Sequence, residues 1–189
     1  MHKLVLASTS KYRRALLDRL GLSYSTHAPK VDEEAVDPKL SLEEVALFLA
    51  RAKAESGPAD AFVIGSDQLV DLDGERLGKP GTAEKAEEQL RRLAGREHRL
   101  ITAVALRRPD GQLDAALDVH VMKLRPLSDA EVRRYVQRER PLDCAGSYKI
   151  ESLGVSLLDS MSGPDFNAVI GLPLIALCRL LRDAGFEVP

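Results

Sequence analysis

The spacing of apolar positions changes repeatedly along this chain, and the changes predict alternating strands and helices. Lys3–Ala7 (KLVLA) is a short apolar run that reads as a strand. Beyond it Ala15, Leu16, Leu17 and Leu20 recur at helical spacing until Gly21. Ser41, with Glu44 three residues on, forms a capping-box signature for a helix. Its apolar stripe is Leu42, Val45, Ala46, Leu49 and Ala52, and Gly57-Pro58 ends it. Ala61–Gly65 (AFVIG) reads as a buried strand that leads through Ser66-Asp67-Gln68 into Leu69–Leu72, where Asp73-Gly74 supplies a hairpin turn. Glu84–Leu93 predicts a helix stopped by Gly95. His98–Arg107 and Leu113–Leu124 predict two long strands about Pro109-Asp110-Gly111. Ser128, with Glu131, opens a helix to about Gln137, and a last helix covers Leu174–Ala184 before Gly185. No repeat, low-complexity stretch or linker interrupts the pattern. It predicts one α/β domain over residues 1–189 with a mixed, curved sheet, since the hairpins are antiparallel and the strand–helix units favour parallel pairing.

Composition narrows the function classes. The 189 residues are 44% hydrophobic and 30% charged, with a formal net charge of -2. Such a chain lacks the basic excess of a non-specific nucleic-acid binder, so a polyanionic ligand would be held in a local pocket. No apolar run approaches the roughly 20 residues that span a bilayer. The chain passes from Met1 into a strand without a signal-peptide pattern, so the expected compartment is the cytoplasm. Cys144 and Cys178 give no disulfide framework, and His2, His27, His98 and His120 lack ligand spacing for zinc.

The charges of the first helix are unusual. A first turn normally carries Asp or Glu, because the helix dipole is positive there. Here Ser10 is the natural N-cap, and Lys11, Arg13 and Arg14 follow. Hydroxyls, free amides and guanidinium groups at a strand-to-helix turn make an anion site, phosphate above all. The bland alternative is that the arginines face solvent at a cost of a few tenths of a kcal/mol.

Four further segments carry chemistry. Asp67, read as lying at the end of a buried strand, can coordinate a divalent cation or take a proton from water; its ordinary role would be to close a turn. Gly78-Lys79-Pro80 can present a lysine to phosphate, although Gly-x-Pro is also common turn chemistry. Asp32-Glu33-Glu34 offers hard oxygen ligands for magnesium or manganese, or is a plain acidic loop. Lys53 is a phosphate ligand or a solvated charge near a helix end. Together they form a set suited to metal-assisted hydrolysis of a nucleotide.

Ala7-Ser8-Thr9-Ser10-x-x-Arg13-Arg14, Val31-Asp32-Glu33, Gly65-Ser66-Asp67-Gln68, Leu77-Gly78-Lys79-Pro80 and Gly171-Leu172-Pro173-Leu174 resemble, in order and spacing, the Maf family of nucleoside triphosphate pyrophosphatases. The family was historically called septum formation inhibitors. The resemblance spans essentially the whole chain. It implies a fold similar to inosine triphosphate pyrophosphatases, with a long sheet bent around a cleft between two lobes. It also implies a divalent metal, Mg2+ or Mn2+, and cleavage between the α and β phosphates. Ser8, Ser10, Arg13, Lys53 and Lys79 match phosphate-binding positions, Glu33 and Asp67 metal-binding positions, and Asp67 the proposed catalytic base. Homodimers are common among such relatives, so a second copy of the chain is an implied partner beside the nucleotide. Lys11 stands where many members carry proline.

Gln68, and the stretches Gly146–Gly154 and Asp165–Gly171, resemble the subgroup acting on 7-methyl-GTP. Methylation at N7 makes guanine a cation, which favours an aromatic face and a carboxylate for its N1/N2 donor edge. Tyr12, Gln68 and Glu151 stand at the subgroup's base-specificity positions, Tyr12 where tryptophan is frequent. Two other readings stay open from the sequence: a dTTP/UTP pyrophosphatase, which Gln68 and Glu151 argue against, and a nucleotide-binding regulator of cell division with little turnover.

Overall fold

The computed structural model describes residues 3–32 and 36–188. Its strands are β1 (Leu4–Ala7), β2 (Ser25–His27), β3 (Phe62–Leu72), β4 (Glu75–Leu77), β5 (Glu97–Arg107), β6 (Leu113–Leu124) and β7 (Leu158–Ser162). The helices are α1 (Lys11–Asp18), α2 (Leu42–Glu55), α3 (Ala83–Leu93), α4 (Asp129–Glu139), α5 (Phe166–Ile170) and α6 (Leu174–Asp183). The strands form a sheet in the order β2-β1-β3-β5-β6-β7, with β4 also paired to β3. It is mixed: β1 runs parallel to β2 and β3, while β3–β4 and β6–β7 are antiparallel.

Two compact units share these strands. The first comprises the chain up to Gln68, Thr102–Asp118 and the segment from Asp165 onward; the second comprises Leu69–Ile101 and Val119–Pro164. Strands β3, β5 and β6 each begin in one unit and end in the other.

In the first unit, side-chain alternation along β1 and β3 sorts residues to two faces. Leu4, Leu6, Phe62 and Ile64 join Val104 and Leu106 of β5 in a core with Leu16 and Leu17 of α1 and Leu177 and Leu181 of α6. Val5, Ala7, Ala61 and Val63 form a separate buried cluster. A Cβ on Gly65 would come within 2.1 Å of the Ala50 carbonyl oxygen, so α2 crosses β3 at backbone contact there. That crossing fixes where the next residue of the same face, Asp67, meets α2.

The predicted caps form as read from the sequence. The Ser41 and Ser128 hydroxyls accept from the Glu44 and Glu131 amides, and each glutamate reaches back to its cap's N–H at 2.8 Å. Asp73 (φ 54) and Gly74 (φ 87) are both left-handed, as a tight hairpin requires. One expectation is corrected: Ser66-Asp67-Gln68 does not follow a strand but lies inside the eleven residues of β3. The polar residues do not break the strand because all three side chains bond to neighbouring elements.

In the second unit, the ring Nε2 of buried His98 shares a 2.8 Å hydrogen bond with the hydroxyl of buried Tyr148. Burial pulls the His98 pKa down to about 4. The imidazole is therefore neutral when folded and takes up a proton more readily when unfolded. Its contribution to stability is present above the unfolded value of about 6.5 and is lost as pH falls toward 4. We expect urea midpoints to fall over that window, and His98→Gln, which retains a partner for Tyr148 but does not titrate, to flatten the decline.

Candidate active site

The first helix begins with two hydroxyl caps in series. Ser10 Oγ accepts from the Arg13 amide at 3.4 Å, and buried Ser8 Oγ accepts from the Ser10 amide at 3.1 Å. The first turn contains no acidic side chain. The structure separates the two arginines that the sequence left together. Arg14 is exposed, whereas Arg13 is half-buried and donates from Nε to the Gly171 carbonyl at 2.8 Å, with Nη1 3.5 Å from Ser8 Oγ. Of the two, Arg13 is the guanidinium with a fixed orientation. Tyr12 lies on the same turn, with the Lys11 ammonium 4.9 Å above its ring centroid.

Strand β3 carries the central chemistry. Its pairing with β1 runs from Phe62 to Ile64 and that with β4 from Val70 to Leu72, so residues 65–69 have neither partner. Alternation sends Ser66 and Gln68 to one face and Asp67 to the other. On its face, Asp67 meets α2: Lys53 Nζ donates to Asp67 Oδ1 at 2.6 Å, and both side chains are only 7% exposed. The idea of Lys53 as a solvated helix-terminal charge is thereby corrected. The bland reading of Asp67 as a turn-closing residue falls as well, since it caps no turn. Its second oxygen, Oδ2, is buried without a hydrogen-bond partner among the described residues. A buried carboxylate oxygen with open lone pairs needs a water, a cation or a ligand donor.

On the opposite face, Ser66 Oγ donates to the Gly171 carbonyl at 3.1 Å, the acceptor that Arg13 also uses. Gln68 Nε2 lies 2.8 Å from the Ala168 carbonyl, 3.0 Å from that of Val169 and 3.1 Å from Thr102 Oγ1. Thr102 itself donates to the Ala168 carbonyl at 3.0 Å. Neither Thr102 nor the Gly171 carbonyl was legible as part of the site. Thr102 reads as one more residue of an apolar strand, and a carbonyl has no signature in sequence.

Lys79 and Glu151 belong to the second unit. Lys79 is exposed in the loop after β4. That loop is tied down on both sides: the Gly78 carbonyl accepts from Gln89 Nε2 at 3.0 Å, and the Gly81 amide donates to Leu142 at 3.1 Å. Glu151 sits in a tight turn in which the Lys149 carbonyl accepts from the Ser152 and Gly154 amides. Glu139 Oε2 accepts from Ser152 Oγ and the Leu153 amide, each at 2.9 Å, and Tyr135 Oη accepts from the Lys149 amide at 2.9 Å. The Glu151 side chain reaches solvent. Even so, partial burial first, and repulsion from Glu139 and Asp143 after it, raise its carboxyl above the ordinary value.

Glu33 lies outside the described residues. Among the described residues no three His, Cys, Asp or Glu side chains cluster to hold a metal. Asp67 Oδ2 nonetheless fits a magnesium or manganese ion, which commonly takes one or two carboxylates and completes its shell with phosphate oxygens and water.

The family described as Maf-like protein matches residues 3–184. The chain belongs to the Maf family. Maf relatives include a 7-methyl-GTP pyrophosphatase of Xanthomonas campestris, 50% identical over 192 residues and covering 100% of both chains. Proteins of the same description are 48% identical in Bdellovibrio bacteriovorus, covering 97% of both chains, and 50% identical in Aromatoleum aromaticum, covering 99% of this Maf chain and 98% of that one. Among solved structures, the Staphylococcus aureus Ham1 protein aligns with 65% of this chain and 71% of its own, at a TM-score of 0.45 and 18% identity. Among the described residues no helix is long and apolar enough to cross a membrane.

Proposed function

We infer that this Maf protein is a nucleoside triphosphate pyrophosphatase that hydrolyses 7-methyl-GTP to 7-methyl-GMP and pyrophosphate, a cytoplasmic house-cleaning activity. The observation that carries the reading is the buried Asp67, bound through Oδ1 to Lys53 and open at Oδ2. A carboxylate so placed can orient a water and accept its proton while the water oxygen bonds to the α phosphorus. The bond from that phosphorus to the bridging oxygen breaks, and pyrophosphate leaves with the electron pair. A divalent ion bound at Asp67 and Glu33 would neutralise charge on the phosphates. Arg13 meets the triphosphate as a preoriented guanidinium, and the family motif assigns Ser8, Ser10 and Lys79 to the same ligand. Lys53 serves first as the partner that fixes Asp67.

The test is pyrophosphate release over a panel of canonical and modified triphosphates with magnesium and with manganese. We expect 7-methyl-GTP to give the highest kcat/KM. Arg13→Ala should weaken substrate and pyrophosphate alike by roughly one to two decades, the scale of one charge-assisted hydrogen bond. Preference for UTP or dTTP would move the protein to the other Maf subgroup. Nucleotide binding with no turnover in either metal would leave a binding protein.

A further inference from the structure

Helix α4 ends on a carboxylate, although the helix dipole disfavours negative charge at that end. The carboxylate of this last residue, Glu139, serves a later segment instead: Oε2 accepts from Ser152 Oγ and from the Leu153 amide, each at 2.9 Å. The segment answers in kind. Lys149 Nζ donates to the Glu139 carbonyl at 2.8 Å, one of the carbonyls that a helix end leaves without an internal partner. The same ammonium stands 3.9 Å from Glu139 Oε1, with both side chains only 12% exposed. Helix end and turn therefore cap one another.

The turn so held, residues 149–153, has Glu151 at its centre. Before it, the Lys149 amide donates to Tyr135 Oη at 2.9 Å and Ile150 is buried. After it come Ser152 and Leu153, the two residues bound by Glu139. A Cβ on Gly154 would come within 2.3 Å of the Lys149 carbonyl oxygen, so the turn closes at backbone contact. Fixed backbone on both sides thus flanks one exposed glutamate.

We propose that Glu139 and Lys149 are positioning residues for base selection, holding the turn that presents Glu151. The inference rests on the function proposed above, with Glu151 as the contact to the base. A carboxylate that must meet two donors on one base edge needs a backbone that does not drift, and the reciprocal clamp supplies it. The clamp also sets the charge around Glu151. Burial opposes its ionisation first, the Lys149 ammonium favours it, and the Glu139 and Asp143 carboxylates oppose it. Tyr135 and Cys144, the other titratable groups beside it, are kept neutral by burial.

Steady-state kinetics of the full-length protein with 7-methyl-GTP, GTP and UTP, expressed per folded molecule, tests this. Glu139→Ala should shrink the kcat/KM ratio of 7-methyl-GTP over UTP about tenfold, the scale of one charge-assisted hydrogen bond lost from alignment. Ser152→Ala, which removes one of the two donors to Glu139, should shrink it less. In the Glu151→Gln background Glu139→Ala should cost almost nothing more, because the group it positions is gone. Glu139→Gln keeps an acceptor oxygen for Ser152 and Leu153 and should hold the ratio. With the like charge removed, however, the ratio should decline at a lower pH than in wild type, over the range where the methylated ring keeps its N1 proton. Lys149→Met should shrink the ratio and move that decline to higher pH. If Glu139→Ala does not fold, Ser152→Ala and the pH profile of Glu139→Gln decide alone. Losses that fall equally on all three substrates, additive losses with Glu151→Gln, or an unmoved pH profile in Glu139→Gln each overturns the proposal. Wild-type protein that turns over triphosphates without preferring 7-methyl-GTP overturns the substrate reading, and the positioning role with it. A preference that is lost in Glu151→Gln but kept in Glu139→Ala overturns the positioning role alone.

Discussion

Asp67→Asn should lose roughly 10²–10⁴-fold in turnover while substrate affinity changes far less, the range expected when a general base is removed. The asparagine keeps the volume and one oxygen of the carboxylate but cannot take a proton from water. The geometry adds a complication that must be separated from chemistry. Asp67 and Lys53 form a buried ion pair at 2.6 Å, and removing one partner of such a pair typically costs about 3–5 kcal/mol of stability because the other charge is stranded. The variant should therefore melt earlier as well as turn over slowly, and turnover has to be expressed per folded molecule. A double variant, Asp67→Asn with Lys53→Met, removes the stranded ammonium. We expect it to recover much of the melting temperature and none of the activity. Near-normal turnover in folded Asp67→Asn removes Asp67 from the proton transfer. Activity that returns with stability in the double variant shows that the pair is structural only.

The partnership of Asp67 with Lys53 also shows where sequence reading stopped. The two residues are fourteen positions apart on different elements, and nothing in the spacing says that a lysine near a helix end turns inward. What brings them together is Gly65, whose missing side chain lets α2 lie against β3 at backbone contact. Local signals were legible: caps at Ser10, Ser41 and Ser128, left-handed turns at Asp73-Gly74 and Gly111, and the long strands β5 and β6. These depend on a few neighbouring residues and one period of hydrophobicity. Short elements without such a period were not legible. Strand β7 (LDSMS) is mostly exposed and has no alternation to announce it, and α5 is a helix of five residues held by tertiary bonds from Gln68 and Thr102. The sequence marked Ser66-Asp67-Gln68 as chemical but misplaced it at a strand end. A run of three polar residues usually ends a strand in water, whereas here each finds a buried partner from α2, α5 or the turn after α5.

Base selection should follow charge more than shape, and the ratio of kcat/KM for 7-methyl-GTP over GTP and UTP measures it. The methylated ring is a cation. A desolvated cation–π contact is worth about 2 kcal/mol, and a charge-assisted hydrogen bond about 1.5–3 kcal/mol. If Tyr12 and Glu151 act as the family's specificity positions imply, the two contacts would separate methylated from unmethylated guanine by roughly 2.5 to 3.5 decades. Glu151→Gln should shrink that gap mainly by slowing 7-methyl-GTP, since it removes the charge and keeps the shape. Tyr12→Ala should shrink it too. The Tyr12 ring already carries the Lys11 ammonium at 4.9 Å, so one side of its π face is engaged and a positive charge stands beside it. Lys11→Ala should then leave the ratio equal or larger, the opposite sign from Tyr12→Ala. Selectivity should also depend on pH in a direction fixed by Glu151. If Glu151 is the contact to the base, only its ionised form favours the cation, so, over the range where the methylated ring keeps its N1 proton, the ratio should decline as pH falls through the folded-state pKa. Burial and the neighbouring Glu139 and Asp143 raise that pKa, so the decline begins at a higher pH than an unperturbed glutamate would give. In Glu151→Gln that pH dependence should vanish along with the selectivity. If the ratio and its pH profile both survive Glu151→Gln, recognition of the methylated base lies elsewhere on the protein, even where the pyrophosphatase chemistry at Asp67 stands.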